Sequence, residues 1–200
     1  MGKPLFLFAH GAGVPSSSPW MQAWAGRLGT LGSVVTFDYP YARQGRKAPD
    51  RFPVLLQAHR EALVDARAGH EGPVVLAGKS MGSRIGLHLA LEEPVDAAIC
   101  FGYPLVARSK AGTKVRDEVL LQQRQPLLFI EGTRDPLCPL ETLGQVRDRM
   151  TAPNALHVVE GGDHSLRLTK KFMAQVGATQ DEVDDGILRT IGIWLGEVLG

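Results

Sequence analysis

The sequence predicts a doubly wound α/β fold, a mostly parallel sheet of about six strands flanked by helices, on three observations. Short runs of continuous apolar residues recur along the chain, stretches with helical spacing separate them, and turn residues punctuate the joins. Continuous rather than alternating hydrophobicity is what a strand covered on both faces requires, and strands alternating with helices imply right-handed crossovers.

The strand candidates are Leu5 to Ala9, Val34 to Phe37, Val74 to Ala77, Ala97 to Phe101, Leu127 to Ile130 and Leu156 to Val159. Between the first two, Ser16-Ser17-Ser18-Pro19 has the form of a helix cap with proline in the first turn, and Trp20 and Trp24 then share a face. Phe52, Leu55, Leu56, His59 and Leu63 form a second helical stripe, Met81, Ile85 and Leu89 a third, and Leu140, Leu143 and Val146 a fourth. The clearest helix is the last, in which Val183, Ile187, Ile191, Trp194 and Val198 hold the spacing and Asp181 and Glu182 lie near the favourable end of the dipole.

Composition narrows the function classes. A chain of 200 residues, 44% of them hydrophobic, buries a full core and suits one domain over residues 1–200. A net charge of +1 supplies no field for nucleic acid or an anionic membrane, so neither is expected as a partner. Cys100 and Cys138 form no Cys-x-x-Cys pair and are too few for a disulfide framework, which fits a reducing, cytoplasmic setting. The apolar run at Leu5 is too short to span a bilayer, and no targeting signal, repeat or linker is expected.

Chemistry concentrates where the third strand meets its helix, at Gly78-Lys79-Ser80-Met81-Gly82. A sharp strand-turn-helix pushes the central serine into a strained conformation, and glycines beside it avoid clashes with strand and helix. A chain this rich in glycine carries such a pattern by chance about one time in ten, so context must decide. Two strand-end loops supply it: Asp135 follows the strand Leu127 to Ile130, and His164 follows Leu156 to Val159. Serine hydroxyl is a weak nucleophile at neutral pH; an imidazole must take its proton and a buried carboxylate must orient that imidazole.

The other candidates compete poorly. His59 and His88 fall in helical patterns, His70 lies at the opposite end of a strand, His157 lies within one, and Asp163 is too near His164 in sequence to reach back to its ring. The turn His10-Gly11-Ala12-Gly13 ends the first strand and can aim a backbone N–H, from Ala12 or alternatively Gly11, at the oxyanion that the Met81 N–H also faces; His10 itself braces this loop. Asp38 and Lys79 are possible substrate contacts, against turn hydrogen bonding for Asp38 and a solvated or structural role for Lys79. Arg43, Arg46, Lys47 and Arg51 form a basic loop that either attracts an anionic substrate or is simply solvated, and Cys138 is read as packing.

These residues resemble the α/β-hydrolase superfamily, more closely the compact branch shared by a vertebrate testis-expressed protein and a subunit of a histone-acetyltransferase complex. Five segments carry the likeness: His10 to Gly13, Phe37 to Tyr41, Gly78 to Arg84, Gly132 to Pro136 and Gly161 to Ser165. The resemblance implies a minimal form of the fold, without the two leading strands of larger relatives and without a large lid between Phe101 and Leu127. It implies no cofactor and no metal. Dienelactone-hydrolase-like labels attach to such sequences, but those enzymes are known for a cysteine nucleophile, and position 80 is serine.

The expected activity is that of a serine esterase or thioesterase, with Ser80, His164 and Asp135 as catalytic triad and a small-molecule acyl substrate in a shallow, open cleft. The alternatives are a catalytically silent interaction module on the same fold, or an amidase or peptidase using the same triad. Acyl-chain length, leaving group and oligomeric state are not legible in the residues.

Overall fold

A computed structural model of the chain describes residues 2–109 and 112–200. Its central sheet contains β1 (Leu5–Ala9), β2 (Ser33–Phe37), β3 (Val74–Lys79), β4 (Ala97–Phe101), β7 (Leu127–Gly132) and β8 (Asn154–Val159), all parallel and ordered β2-β1-β3-β4-β7-β8. The order reverses between β1 and β3, the crevice where open α/β sheets bind ligands beyond their carboxyl ends.

Two hydrophobic layers explain the continuous apolar runs. Leu5, Leu7 and Ala9 of β1 face a cluster with Leu55 and Leu63 of α3 (Phe52–Arg67), Ile85 of α4 (Met81–Leu89) and Leu143 of α5 (Leu140–Arg147). Phe6 and Phe8, on the opposite face, join Trp24 and Leu28 of α1 (Pro19–Leu28) and Ile187, Ile191 and Trp194 of α7 (Gln180–Leu199). Strands β3, β4 and β7 divide their residues between the layers in the same way. Period-two side-chain direction with both faces covered leaves no polar position to mark the strand.

Every expected strand and helix is present, with ends displaced by up to a few residues. The largest displacement that matters is at β7, which continues through Glu131 and Gly132 instead of ending at Ile130. Four elements carried no readable pattern. The short α2 (Pro40–Arg43) is one turn, and α6 (Lys170–Val176) buries none of its residues. An antiparallel hairpin of β5 (Val106–Ser109) and β6 (Gly112–Val115) occupies the segment after β4, where the sequence predicts only the absence of a large lid.

Helix starts also differ in detail. Ser18 stands at the N-cap of α1 with Pro19 in the first turn, but its side chain makes no capping bond and its hydroxyl is buried without a partner. The full capping box belongs to α7, where Thr179 and Glu182 each bond the other's backbone. Among the described residues no helix is long and apolar enough to cross a membrane.

Candidate active site

The turn after β3 sets the site. Ser80 lies between Lys79, the last residue of β3, and Met81, the first of α4, with φ 51° and ψ −112°, a backbone conformation that non-glycine residues adopt only when their surroundings impose it. The surroundings here are two close approaches. A Cβ on Gly78 would stand 2.5 Å from Gly82 C and Ser83 Cα, and one on Gly82 would stand 2.7 Å from the His10 carbonyl oxygen. The glycines let helix, strand and the β1 turn converge, and the convergence holds Ser80 out at the carboxyl edge of the sheet.

The loops after β7 and β8 are stitched together before they present their side chains. The Arg134 N–H donates to Gly162 O at 2.8 Å, the Thr133 N–H to Val159 O at 3.1 Å, and the Gly161 N–H to the Thr133 hydroxyl at 2.8 Å. From these loops Asp135 and His164 reach Ser80. His164 Nδ1 lies 2.7 Å from Asp135 Oδ2, and His164 Nε2 lies 2.9 Å from Ser80 Oγ. A carboxylate only accepts, so Nδ1 carries the proton and Nε2 is left to accept from the serine hydroxyl. The Asp135 side chain is fully buried, and its other oxygen accepts from the Leu137 N–H at 2.8 Å. Asp163 instead accepts from the Ser165 and Arg167 N–H groups at 2.7 and 3.0 Å, so it shapes the turn and leaves the imidazole to Asp135.

Across from Ser80, Gly11 sits so close that a Cβ there would lie 3.5 Å from Ser80 Cβ. Its carbonyl accepts from His10 Nδ1 at 2.8 Å and from the Tyr41 hydroxyl at 3.3 Å. Because a trans peptide points its C=O and N–H in opposite directions, two donors on the Gly11 carbonyl also fix where the Ala12 N–H points. The Tyr39 N–H donates to His10 Nε2 at 3.2 Å, which leaves His10 neutral with its proton on Nδ1; burial lowers its pKa in the same sense. The 3.5 Å approach of Asp38 to His10 is therefore no charged pair. His10 is a brace. Met81 opens α4, so its N–H has no acceptor within the helix.

Lys79 and Asp38 both take the structural side of the alternatives the sequence leaves open. Lys79 is 7% exposed, its ammonium donates to the His164 carbonyl and stands 5.6 Å from the centre of the Trp20 ring, and burial lowers its pKa to about 8. Asp38 accepts from the Ser16 N–H at 2.6 Å through its side chain and from Arg43 Nε at 2.8 Å through its carbonyl, the bonding of a turn. In the basic loop, Arg43 is spent on that carbonyl and Arg46 on Asp50 at 2.6 Å.

Glu131 escapes sequence reasoning. It lies on β7 below Asp135, wholly buried, with Oε1 accepting from the Tyr103 N–H at 2.6 Å and Oε2 without a partner among the described residues. Burial pushes its carboxyl well above the usual carboxylate range, which disfavours a second negative charge beside Asp135. The available signal was an acidic residue directly following an apolar strand run. Cys100 and Cys138 are buried free thiols, with pKa values pushed up by burial, and neither is a ready thiolate. A cavity of about 910 Å³ opens between the start of β4 and the start of β7, at the opposite edge of the sheet, and touches none of Ser80, Asp135 or His164.

Comparison with known proteins agrees with this architecture. A family described as alpha/beta hydrolase domain matches residues 2–192. Among solved structures, a dienelactone hydrolase from Anabaena variabilis superposes with a TM-score of 0.71 at 19% identity, covering 100% of this chain and 88% of that one. The esterase domain of a Rhodothermus marinus protein gives 0.68 at 19% identity over 100% and 89% of the two chains. An alpha-beta serine hydrolase homologue from Coxiella burnetii gives 0.68 at 18% identity over 81% and 77%. Identities this low speak for the fold; with the family match across almost the whole chain, the protein belongs to the alpha/beta-hydrolase superfamily.

Proposed function

We propose that this hydrolase cleaves a carboxylic ester or thioester through an acyl-enzyme on Ser80. The observation that carries the reading is the unbroken line Ser80 Oγ, His164, Asp135, with separations of 2.9 and 2.7 Å. His164 Nε2 takes the hydroxyl proton as Ser80 attacks the acyl carbon and returns it to the departing alcohol or thiol. Water, deprotonated by the same nitrogen, then releases the acid, and Asp135 stabilises the imidazolium in both halves. The N–H groups of Met81 and Ala12 receive the oxyanion, the first at a helix amino terminus and the second fixed through the doubly held Gly11 carbonyl.

A fluorophosphonate probe should label the wild type and leave Ser80→Ala unlabelled, and a chain-length series of activated esters should be turned over with the same dependence on Ser80. Absence of labelling in correctly folded wild-type protein overturns the proposal.

A further inference from the structure

The turn that carries His164 is strained and held from outside. Leu166, two residues on, is a buried leucine with φ 63°. A side chain with this backbone conformation persists only where its neighbours impose it. Three side chains from three elements do so by donating to three successive carbonyls. Lys79 Nζ of β3 donates to His164 O, Trp20 Nε1 of α1 donates to Ser165 O at 2.9 Å, and Gln180 Nε2 of α7 donates to Leu166 O at 3.1 Å. The first two donors also face each other, with the ammonium over the indole ring. Gly102 admits the arrangement, since a Cβ there would lie 2.5 Å from His164 O, 3.0 Å from Lys79 Nζ and 3.3 Å from His164 Nδ1.

We propose that Lys79 and Trp20 are positioning residues that hold the His164 turn by its carbonyls and so set the imidazole between Ser80 and Asp135. The inference deepens the reading of His164 as the general base and rests on it. Lys79 precedes the nucleophile in the chain, so one peptide places Ser80 and, through its neighbour's side chain, the base that activates it. The acidic groups facing the ammonium are buried Glu131 on β7 and Asp135 and Asp163 from the two loops, and Lys79 Nζ and His164 Nδ1 both border the space beside Gly102. Neutralising a cation beside the imidazole changes the field there, so a histidine NMR titration is a readout that loss of a purely structural contact would not move.

The test compares wild type, Lys79→Met and Trp20→Phe by ester kinetics, by histidine NMR titration with the His164 signal identified by its loss in His164→Gln, and by amide exchange at Ser165 and Leu166. Lys79→Met should lower kcat by about 10–100-fold with little change in KM, and should displace the His164 NMR titration curve to higher pH. Trp20→Phe keeps an aromatic ring but loses the pyrrole part of the indole with its N–H; it should speed exchange at Leu166 and lower kcat without moving the midpoint. A folded Lys79→Met with wild-type kcat and an unmoved midpoint overturns the proposal. If Lys79→Met does not fold, unchanged exchange and kcat in Trp20→Phe overturn it. Should wild type prove inactive toward every ester and the probe, the serine-hydrolase reading fails, while titration and exchange still decide whether the turn is held as described.

Discussion

Asp135 and Glu131 lie four residues apart, both buried, and their oxygens find different partners. Asp135 accepts from the Leu137 N–H and from His164, so its charge is answered by two donors. Glu131 accepts the Tyr103 N–H and lies beside the Cys138 thiol, and burial pushes its carboxyl well above the usual carboxylate range. Asp135→Asn should therefore lower kcat for ester hydrolysis by about 10³–10⁴-fold, since an amide can present its N–H to Nδ1 and favour the wrong tautomer, leaving Nε2 protonated. Steady-state kinetics on a variant with wild-type near-UV dichroism checks this; a loss below tenfold would show that Asp135 does not orient the base.

At the scale of elements, the glycines separate into those that geometry demands and those it merely tolerates. Gly82 is caught between α4 and the end of β1, where backbone atoms leave a methyl group no route of escape. Gly82→Ala should cost at least ~3 kcal/mol in denaturant unfolding. Gly144 lies inside α5 with nothing near its absent side chain, so Gly144→Ala should stabilise by about 0.5–1 kcal/mol through helix propensity. If the two substitutions gave equal effects, crowding at the nucleophile turn would not be the reason for its glycines. The same scale shows why the hairpin and α6 were illegible in the residues. The described residues of β6 are exposed or half-exposed, and α6 buries none, so neither carries a hydrophobic period.

Over the whole molecule, the two layers bury histidine as well as hydrocarbon. His59 of α3 is fully enclosed, with Nδ1 3.1 Å from the Tyr39 hydroxyl and Nε2 unpartnered, and burial lowers its pKa from 6.5 to about 3. Above pH 6.5 the imidazole is neutral folded or unfolded, and its contribution to stability is fully present. Between pH 6.5 and about 3 the unfolded chain takes up the proton first, and stability falls by up to about 1.4 kcal/mol per pH unit, in total on the order of 5 kcal/mol. His10, lowered in the same direction, adds to the slope. Unfolding free energies measured from pH 7 to pH 5 should fall more steeply in wild type than in His59→Gln; parallel curves would mean that His59 is free to protonate in the folded protein.

The sequence alone determined the strand and helix order, and that Ser80, Asp135 and His164 lie at one edge of the sheet, because hydrophobic period and turn residues are local signals and strand ends share one edge in a parallel sheet. It fixed neither the environment of a side chain nor its charge state. Lys79 reads as a solvated, structural or substrate-facing lysine until α1 and the β8 loop close over it and leave the structural role, and Glu131 reads as a loop carboxylate until β7 carries it inside. Burial, and the partners that answer it, come from segments as far apart as Trp20 and Ser165, which meet only when the sheet is assembled. What surrounds Ser80, His164 and Asp135, and brings their side chains into one hydrogen-bonded line, belongs to the tertiary structure.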